Sequence, residues 1–114
     1  MNILIILNDP PYGTERSYNG LRTAKALASV DVNVNVFLLA DSVVCAKHGQ
    51  KVPEGFYNLE LMLKSVMRTG EVLLCGTCMG ARGLKDEELI EGVQRSTMKE
   101  LAEKTLLADK VLVF

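Results

Sequence analysis

A continuously apolar segment, "ILIIL", occupies residues 3–7 and is followed at once by "NDPPYG". Five successive apolar residues are typical of a strand that is covered on both faces, as the strands of parallel sheets are. Pro10 and Pro11 have no backbone N–H to donate to a neighbouring strand, so we expect the strand to end before them. Three later apolar segments predict further strands, at residues 32–39, 71–75 and 110–114.

Helical periodicity fills the intervals between the predicted strands. It predicts helices over residues 15–29, 58–68 and 97–108, and a shorter one within residues 40–49. Thr14, Asn58 and Thr97 stand where N-cap residues are expected. The inner face of the last helix is expected to contain Leu101, Ala102, Thr105 and Leu106.

The order of these segments predicts the fold class. Strands that alternate with helices over short connections form α/β domains, in which right-handed crossovers place helices against a parallel sheet. A chain of 114 residues suits one domain of this kind. We therefore predict a single α/β domain over residues 1–114, with a parallel sheet of about five strands and helices on both faces.

Charge and composition argue against several classes of partner. The 13 basic and 14 acidic residues give a net charge of -1 and form no basic run, and only 5% of the residues are aromatic. Nucleic-acid binding normally needs a basic surface and stacking platforms, so no nucleic acid is expected. The first apolar segment ends at Asn8, too short for a signal peptide or a membrane span. We therefore expect a cytoplasmic protein with no membrane partner.

The most informative motif is "CGTCMGARG", which follows the third predicted strand. In parallel sheets, functional groups gather beyond the carboxyl ends of the strands. The two cysteines of this C-x-x-C motif, Cys75 and Cys78, are therefore expected at that edge, beside the loops "NDPPYG" and "ADSVV". Those loops supply Asn8, Tyr12 and Asp41 as candidate pocket residues, although each also suits a turn or a cap.

The cysteine count limits what this pair can do. Three cysteines cannot pair evenly, and structural disulfides are rare in a reducing compartment. A thioredoxin-like site is disfavoured because no proline follows the motif, and a phosphate loop is disfavoured because neither glycine signature matches. A zinc site would need Cys45 and His48 beside the C-x-x-C pair, but these two lie on a predicted helix rather than in a zinc knuckle. We therefore expect no metal and no cofactor.

A reactive thiol at Cys75 is the remaining chemical interpretation. Thiolates form where a helix N-terminus or a cation lowers the thiol pKa, and Arg82 is the nearest cation that follows Cys75 in sequence. Gly76, Gly80 and Gly83 would let the backbone fold closely around the sulfur atom. A free cysteine at the end of a buried strand is equally typical of inert packing. The residues alone leave both interpretations of Cys75 open.

The chain resembles the DsrE/DsrF-like family, and within it the YchN-like branch. The similarity rests on the first apolar strand with "NDPPYGTERSYNGLRTAKAL" after it, on "FLLADSV" followed by "HGQK", on "LLCGTCMGARG", and on the closing "LADKVLVF". These motifs keep the family's order and spacing from one end of the chain to the other. The resemblance implies a small α/β fold that assembles into homo-oligomers, as trimers or hexamers.

The resemblance also implies a function. The best-understood members of this family carry sulfur as a persulfide on a cysteine at the end of a central strand, and they pass it between partner proteins. That cysteine corresponds to Cys75, and Cys78 corresponds to the second cysteine of the YchN-like branch, which many sulfur carriers lack. The second thiol is therefore compatible with release of bound sulfur as sulfide or with a function outside sulfur transfer. The implied mechanism is attack of the Cys75 thiolate on a donor persulfide, with Arg82 and nearby amides stabilising negative charge and Cys78 as a resolving thiol. The competing class is a non-catalytic oligomeric module whose surfaces bind proteins or a small anion.

Overall fold

A five-stranded, all-parallel sheet forms the centre of the computed structural model, which describes residues 1–114. The strands are β1 (Asn2–Leu7), β2 (Asn33–Leu38), β3 (Val72–Cys75), β4 (Gln94–Ser96) and β5 (Lys110–Val113). Their spatial order is β4-β3-β2-β1-β5. The chain thus adds β2, β3 and β4 on one side of β1 and then returns to place β5 on the other side. The predicted α/β fold with a parallel sheet is confirmed.

Helices cover both faces of this sheet, as predicted. They are α1 (Arg16–Ala28), α2 (Leu59–Val66), α3 (Gly76–Ala81) and α4 (Met98–Leu107), with 3₁₀ helices at Ala40–Ala46 and Asp86–Glu88. On one face, Ala24 of α1 and Val66 of α2 line a small cavity with Val34. On the other face, Leu107 of α4 lines a cavity with Leu4. No helix has the length and apolar content needed to cross a membrane.

Strand β3, which lies between β2 and the edge strand β4, is wholly inside the hydrophobic core. All four of its residues are buried, and Leu73 and Leu74 have no exposed surface. The core is one cluster of 24 buried residues, so the strand is held by apolar contacts on both faces. This burial fixes the position of the chain at Cys75, where the strand ends.

The sequence patterns identified most elements but not β4. This strand has only three residues, "QRS", and all of them are polar. A short, polar sequence is compatible with its place at the edge of the sheet, where two of its residues are exposed. Two predicted caps are confirmed: the side chains of Asn58 and Thr97 accept hydrogen bonds from the amides of Leu61 and Glu100, both at 3.1 Å. Thr14 is not the cap of α1, which begins after Glu15 without a side-chain cap.

The predicted inner face of α4 is wrong in part. Leu101 is buried, but Leu106 is 86% exposed, and Ala102 and Thr105 also face solvent. The partly or fully buried side of the helix includes Lys104, whose ammonium group pairs with the carboxylate of Glu71 at 3.2 Å. A lysine can lie on a half-buried face because its aliphatic stem packs while its charge is paired. The hydrophobic pattern therefore misplaced the inward stripe of this helix.

The contact between β2 and the turn before β3 leaves no room for a Cβ atom at position 70 unless the backbone shifts. A methyl group at Gly70 would overlap the backbone carbonyl oxygen of Val34, whereas one at Gly80, on α3, would meet nothing within 4 Å. We expect Gly70→Ala to lower the free energy of unfolding by about 1–3 kcal/mol, as overpacking does. We expect the matched control, Gly80→Ala, to be neutral or to stabilise by up to about 1 kcal/mol. Urea unfolding of the two variants measures both effects, and equal stabilities would contradict the close approach.

Candidate functional site

The candidate site lies where β2 and β3 end together. The register pairs Leu38 with Leu74, so the residues that follow each strand leave the sheet side by side. Cys75 is the last residue of β3 and the N-cap of α3. Its Sγ accepts a hydrogen bond from the backbone N–H of Cys78 at 3.3 Å, and only 6% of the residue is exposed. Cys75 is therefore nearly buried, with a polar partner for its sulfur atom.

The second sulfur atom also receives a backbone hydrogen bond. The N–H of Ala40 donates to Cys78 Sγ at 3.3 Å, and Cys78 is half-buried. Ala40 has a positive φ of 51°, a conformation that costs a non-glycine residue about 1 kcal/mol or more. Ala40, which follows β2, thus has an uncommon backbone conformation at the point where its N–H contacts the Cys78 sulfur atom. Both thiols lie within one hydrogen-bonded unit.

The protonation of Cys78 is shifted toward the neutral thiol. Partial burial raises the pKa of Cys78, and a side-chain hydrogen bond with Cys75 and the charge of that residue raise it further. The N–H of Ala40 and the guanidinium of Arg82 act in the opposite direction without reversing the shift. Cys78 therefore keeps its proton near neutral pH.

A salt bridge holds the loop after β2 against α3. Arg82 Nε and Nη2 both contact Asp41 Oδ1, at 2.8 and 2.7 Å, and Arg82 Nη1 donates to the carbonyl oxygen of Cys78 at 3.1 Å. Asp41 directly follows Ala40, so this pair fixes the loop that donates to Cys78. The structure thus brings together four of the residues singled out from the sequence: Cys75, Cys78, Asp41 and Arg82.

The two glycines of the candidate site have different surroundings. A methyl group at Gly76 would lie 2.8 Å from Arg95 Nε and 3.2 Å from the carbonyl oxygen of Ser96, so β4 approaches the chain closely there. Gly83 has a φ of +64° and open space around it, and it lies in the turn after α3. Gly76 therefore packs beside the thiols, while Gly83 supplies a backbone conformation that other residues rarely adopt.

The structure does not join Asn8 or Tyr12 to the two thiols. Asn8 Nδ2 donates to the carbonyl oxygen of Phe114 at 3.1 Å. The hydroxyl of Tyr12 donates to Gln50 Oε1 at 2.5 Å and accepts from the amide of Leu59 at 3.1 Å. Burial raises the pKa of this phenol. The observed contacts of both residues therefore tie loops to neighbouring elements.

The third cysteine is part of the core. Cys45 has no exposed surface, and its S–H contacts the carbonyl oxygen of Asp9 at 3.8 Å. Burial raises the pKa of the Cys45 thiol to about 12. His48 is exposed, and no group of three or more His, Cys, Asp or Glu residues is arranged to hold a metal ion. The residues of the zinc alternative do not assemble into a site.

Ala40, whose backbone N–H belongs to the candidate site, could not be identified from the sequence. It contributes a backbone N–H, which every residue except proline possesses, so its identity carries no signal. Arg95 was also not singled out, although its guanidinium donates to the carbonyl oxygen of Gly76 at 3.3 Å. The signal for Arg95 depended on recognising β4, whose short polar sequence does not resemble a strand.

Comparisons with known proteins place the chain among relatives of nearly equal length. A family model described as "DsrE/DsrF-like family" matches residues 1–114. Protein YchN of Escherichia coli (strain K12) is 44% identical over 115 residues, which span 98% of this chain and 97% of that protein. The crystal structure of the YchN protein from E. coli has a TM-score of 0.94 and 42% identity, covering 100% of this chain and 99% of that one.

A more distant relative has a different name. A protein named "TusC homolog" from Aliivibrio fischeri is 27% identical over 118 residues, which span 96% of this chain and 95% of that protein. The match thus extends over nearly the whole domain in this relative as well.

Cys78 and Cys45 are expected to differ in reactivity toward iodoacetamide in the folded protein. Cys78 should be alkylated first because it is the most exposed, and its rate should keep rising above the usual thiol pKa because its own pKa is raised. Cys45 should react at least about 100-fold more slowly, since it is buried and its thiolate is scarce. Peptide mapping over a range of pH measures these rates. Alkylation of Cys45 together with Cys78 would contradict the burial described here.

Proposed function

Because this chain belongs to the DsrE/DsrF-like family, we propose that it is a sulfur carrier. It accepts sulfane sulfur as a persulfide on Cys75 and passes that sulfur to the thiol of a partner protein. The family resemblance supports the reaction class, and the match over residues 1–114 supports its transfer to this chain. The observation that carries the assignment to Cys75 is its place at the end of β3, with an N–H donor on its sulfur atom.

The proposed transfer consists of two exchanges at the outer sulfur atom. In the first, the Cys75 thiolate attacks the outer sulfur of a donor persulfide, the S–S bond of the donor breaks, and the donor thiolate leaves. In the second, an acceptor thiolate attacks the outer sulfur now held by Cys75, and the Cys75 thiolate leaves. Each step forms one S–S bond and breaks another, so no electron donor or cofactor is needed.

The surroundings of Cys75 suit this chemistry. A backbone N–H is a fixed dipole that stabilises negative charge on a nearby sulfur atom without reorganising. The N–H of Cys78 occupies this position at 3.3 Å, and the guanidinium of Arg82 lies close to the pair. The low exposure of Cys75, 6%, limits access of water and oxidants to a bound persulfide.

The same low exposure favours a second candidate function. A thiol with so little exposed surface also fits a non-catalytic oligomeric module in which the cysteines only pack. The two candidates differ in whether Cys75 gains a sulfur atom from a donor. A loading experiment therefore separates them.

We further propose that the protein is a homo-oligomer assembled partly through its C-terminal segment. Large apolar side chains are exposed there: Met98, Leu106, Leu107, Val111 and Val113. Val111 and Val113 belong to the edge strand β5, and Leu107 belongs to α4. Exposed apolar surface on an edge strand and an adjoining helix is typical of an interface. The family resemblance supports a trimer or a hexamer of this chain.

We also propose that the protein works in the cytoplasm. Its three cysteines are free thiols, and two of them are close neighbours in the candidate site. Free thiols of this kind persist in a reducing compartment.

Sulfur loading is tested with two matched variants. In Cys78→Ser, Cys75 is the sole thiol left at the site, and we expect a sulfane-sulfur donor to add about 32 Da, the mass of one sulfur atom. In Cys75→Ser, Cys78 remains, and we expect no stable gain. Intact-mass measurement under non-reducing conditions, followed by peptide mapping, locates the added atom, and the buried Cys45 is an internal control in both variants. An equal gain in Cys75→Ser would eliminate Cys75 as the carrier, and no gain in either variant would favour the binding module.

Assembly is tested by placing a charge on the proposed interface. Leu106→Glu introduces a carboxylate at a side chain that is 86% exposed in the single chain, so it should leave the fold intact while opposing burial against a second copy. We expect sedimentation velocity to show smaller particles for this variant than for the wild type. Val30→Glu, at another exposed apolar position outside the segment, is the control and should keep the wild-type size. A wild-type chain that sediments as a monomer would remove the proposal.

A further inference from the structure

The two cysteines of the candidate site are arranged as a reacting pair. Cys75 is the N-cap of α3 and Cys78 is its third residue, and the amide of Cys78 donates to the sulfur atom of Cys75 at 3.3 Å. Helix geometry places Cα atoms three residues apart at about 5 Å. Disulfides join residues whose Cα atoms are about 4.4–6.8 Å apart, so the spacing of these two positions is compatible with a bond between their sulfur atoms.

The environment of Cys78 distinguishes it from a cysteine that only packs. It is more exposed than Cys75, and its sulfur atom faces a backbone N–H from a different part of the chain, that of Ala40 at 3.3 Å. Ala40 reaches this position with a positive φ, and the Asp41–Arg82 pair holds the loop in place. Arg82 also donates to the carbonyl oxygen of Cys78. Cys78 is thus fixed beside Cys75 by contacts from both the helix and the loop after β2.

We propose that this protein releases carried sulfur as hydrosulfide, with Cys78 as the thiol that displaces it from the Cys75 persulfide. This inference rests on the proposed function, because it begins from sulfur loaded on Cys75. It goes beyond carriage, since the product is a small sulfide ion rather than a sulfur atom handed to a partner protein.

The two cysteines and the carried sulfur atom supply every atom, proton and electron needed for sulfide release. The Cys78 proton first moves to the outer sulfur of the Cys75 persulfide anion, which leaves a Cys78 thiolate beside a neutral persulfide. The Cys78 thiolate then attacks the inner sulfur, and a bond forms between the two cysteine sulfur atoms. The bond between inner and outer sulfur breaks, and its electron pair leaves with the outer sulfur as HS⁻. The two cysteines are oxidised to a disulfide, and the sulfane sulfur is reduced to sulfide. A dithiol reductant then supplies two electrons and two protons to restore both thiols.

The protonated state of Cys78 fits its part in this step. A raised pKa keeps the proton on Cys78 near neutral pH, and the backbone of the same residue contacts the Cys75 sulfur atom. When Cys78 reacts, its proton has a nearby acceptor in the outgoing sulfur.

No other cysteine can replace Cys78. Cys45 is buried against the carbonyl oxygen of Asp9 and its pKa is raised to about 12. It also has no hydrogen bond to either member of the pair. Replacing Cys78 therefore removes the thiol that could displace sulfur from the Cys75 persulfide, and Cys45 does not take its place.

The experiment loads wild type, Cys78→Ser and Cys78→Ala with glutathione persulfide, which releases glutathione thiolate when its outer sulfur is transferred. After rapid desalting, the proteins are held without oxygen or reductant while free sulfide and intact mass are measured. We expect the wild type to release about one sulfide per chain and to finish about 2 Da lighter than the reduced protein, with a Cys75–Cys78 disulfide. We expect both variants to keep the added mass of about 32 Da and to release less than about a tenth as much sulfide.

The outcomes separate the two proposals. If both Cys78 variants load but the wild type keeps its added sulfur, or holds it on Cys78, sulfide release is overturned and carriage on Cys75 stands. If the folded variants never gain sulfur, carriage itself fails and the release step fails with it. Using both serine and alanine ensures that loss of loading is not due to one replacement, and far-ultraviolet circular dichroism confirms that each chain is folded.

Discussion

The pairing of β2 with β3 is the constraint on which the candidate site depends. The register that joins Leu38 to Leu74 makes the two strands end at the same edge of the sheet. Cys75 leaves one strand there, and the chain that includes Ala40 leaves the other. A shift of one residue would reverse the direction of every side chain on the displaced strand and would separate the N–H of Ala40 from Cys78 Sγ. The thiol chemistry therefore rests on a hydrophobic strand pairing.

The three cysteines differ in how far they are buried and in which groups contact their sulfur atoms. Cys45 is enclosed by the core, and its thiol is held neutral by a pKa of about 12. Cys75 is almost as buried, yet a backbone N–H contacts its sulfur atom. Cys78 is more exposed and has a polar partner from a second loop. Burial is thus not the only difference among these thiols, because the sulfur atoms of Cys75 and Cys78 each accept a hydrogen bond from a backbone N–H. The pair at the sheet edge has such donors, and Cys45 has instead the carbonyl oxygen of Asp9.

The sequence was sufficient for the parts of the fold that repeat a pattern. Apolar segments, one of which begins with Val and Asn in alternation at residues 32–36, identified four strands, and Asn58 and Thr97 identified two helix starts, because strand burial and helix capping each require particular residue types. The edge strand β4 escaped detection because an edge strand can be short and polar. Cys75 and Cys78 could be placed at the sheet edge from strand order alone. The donor from Ala40 could not, since a backbone N–H is common to nearly all residues and only the tertiary structure brings it to the sulfur atom.

A crystal structure of Cys78→Ser protein treated with a sulfane-sulfur donor tests most directly whether the Cys75 sulfur atom is the acceptor. Mass spectrometry of the same crystals would establish that the chains contain one added sulfur atom. If Cys75 carries the sulfur, electron density for the added atom will lie about 2 Å from Cys75 Sγ, the length of an S–S bond. Density for the added atom on any other residue, with Cys75 Sγ unmodified, would contradict it.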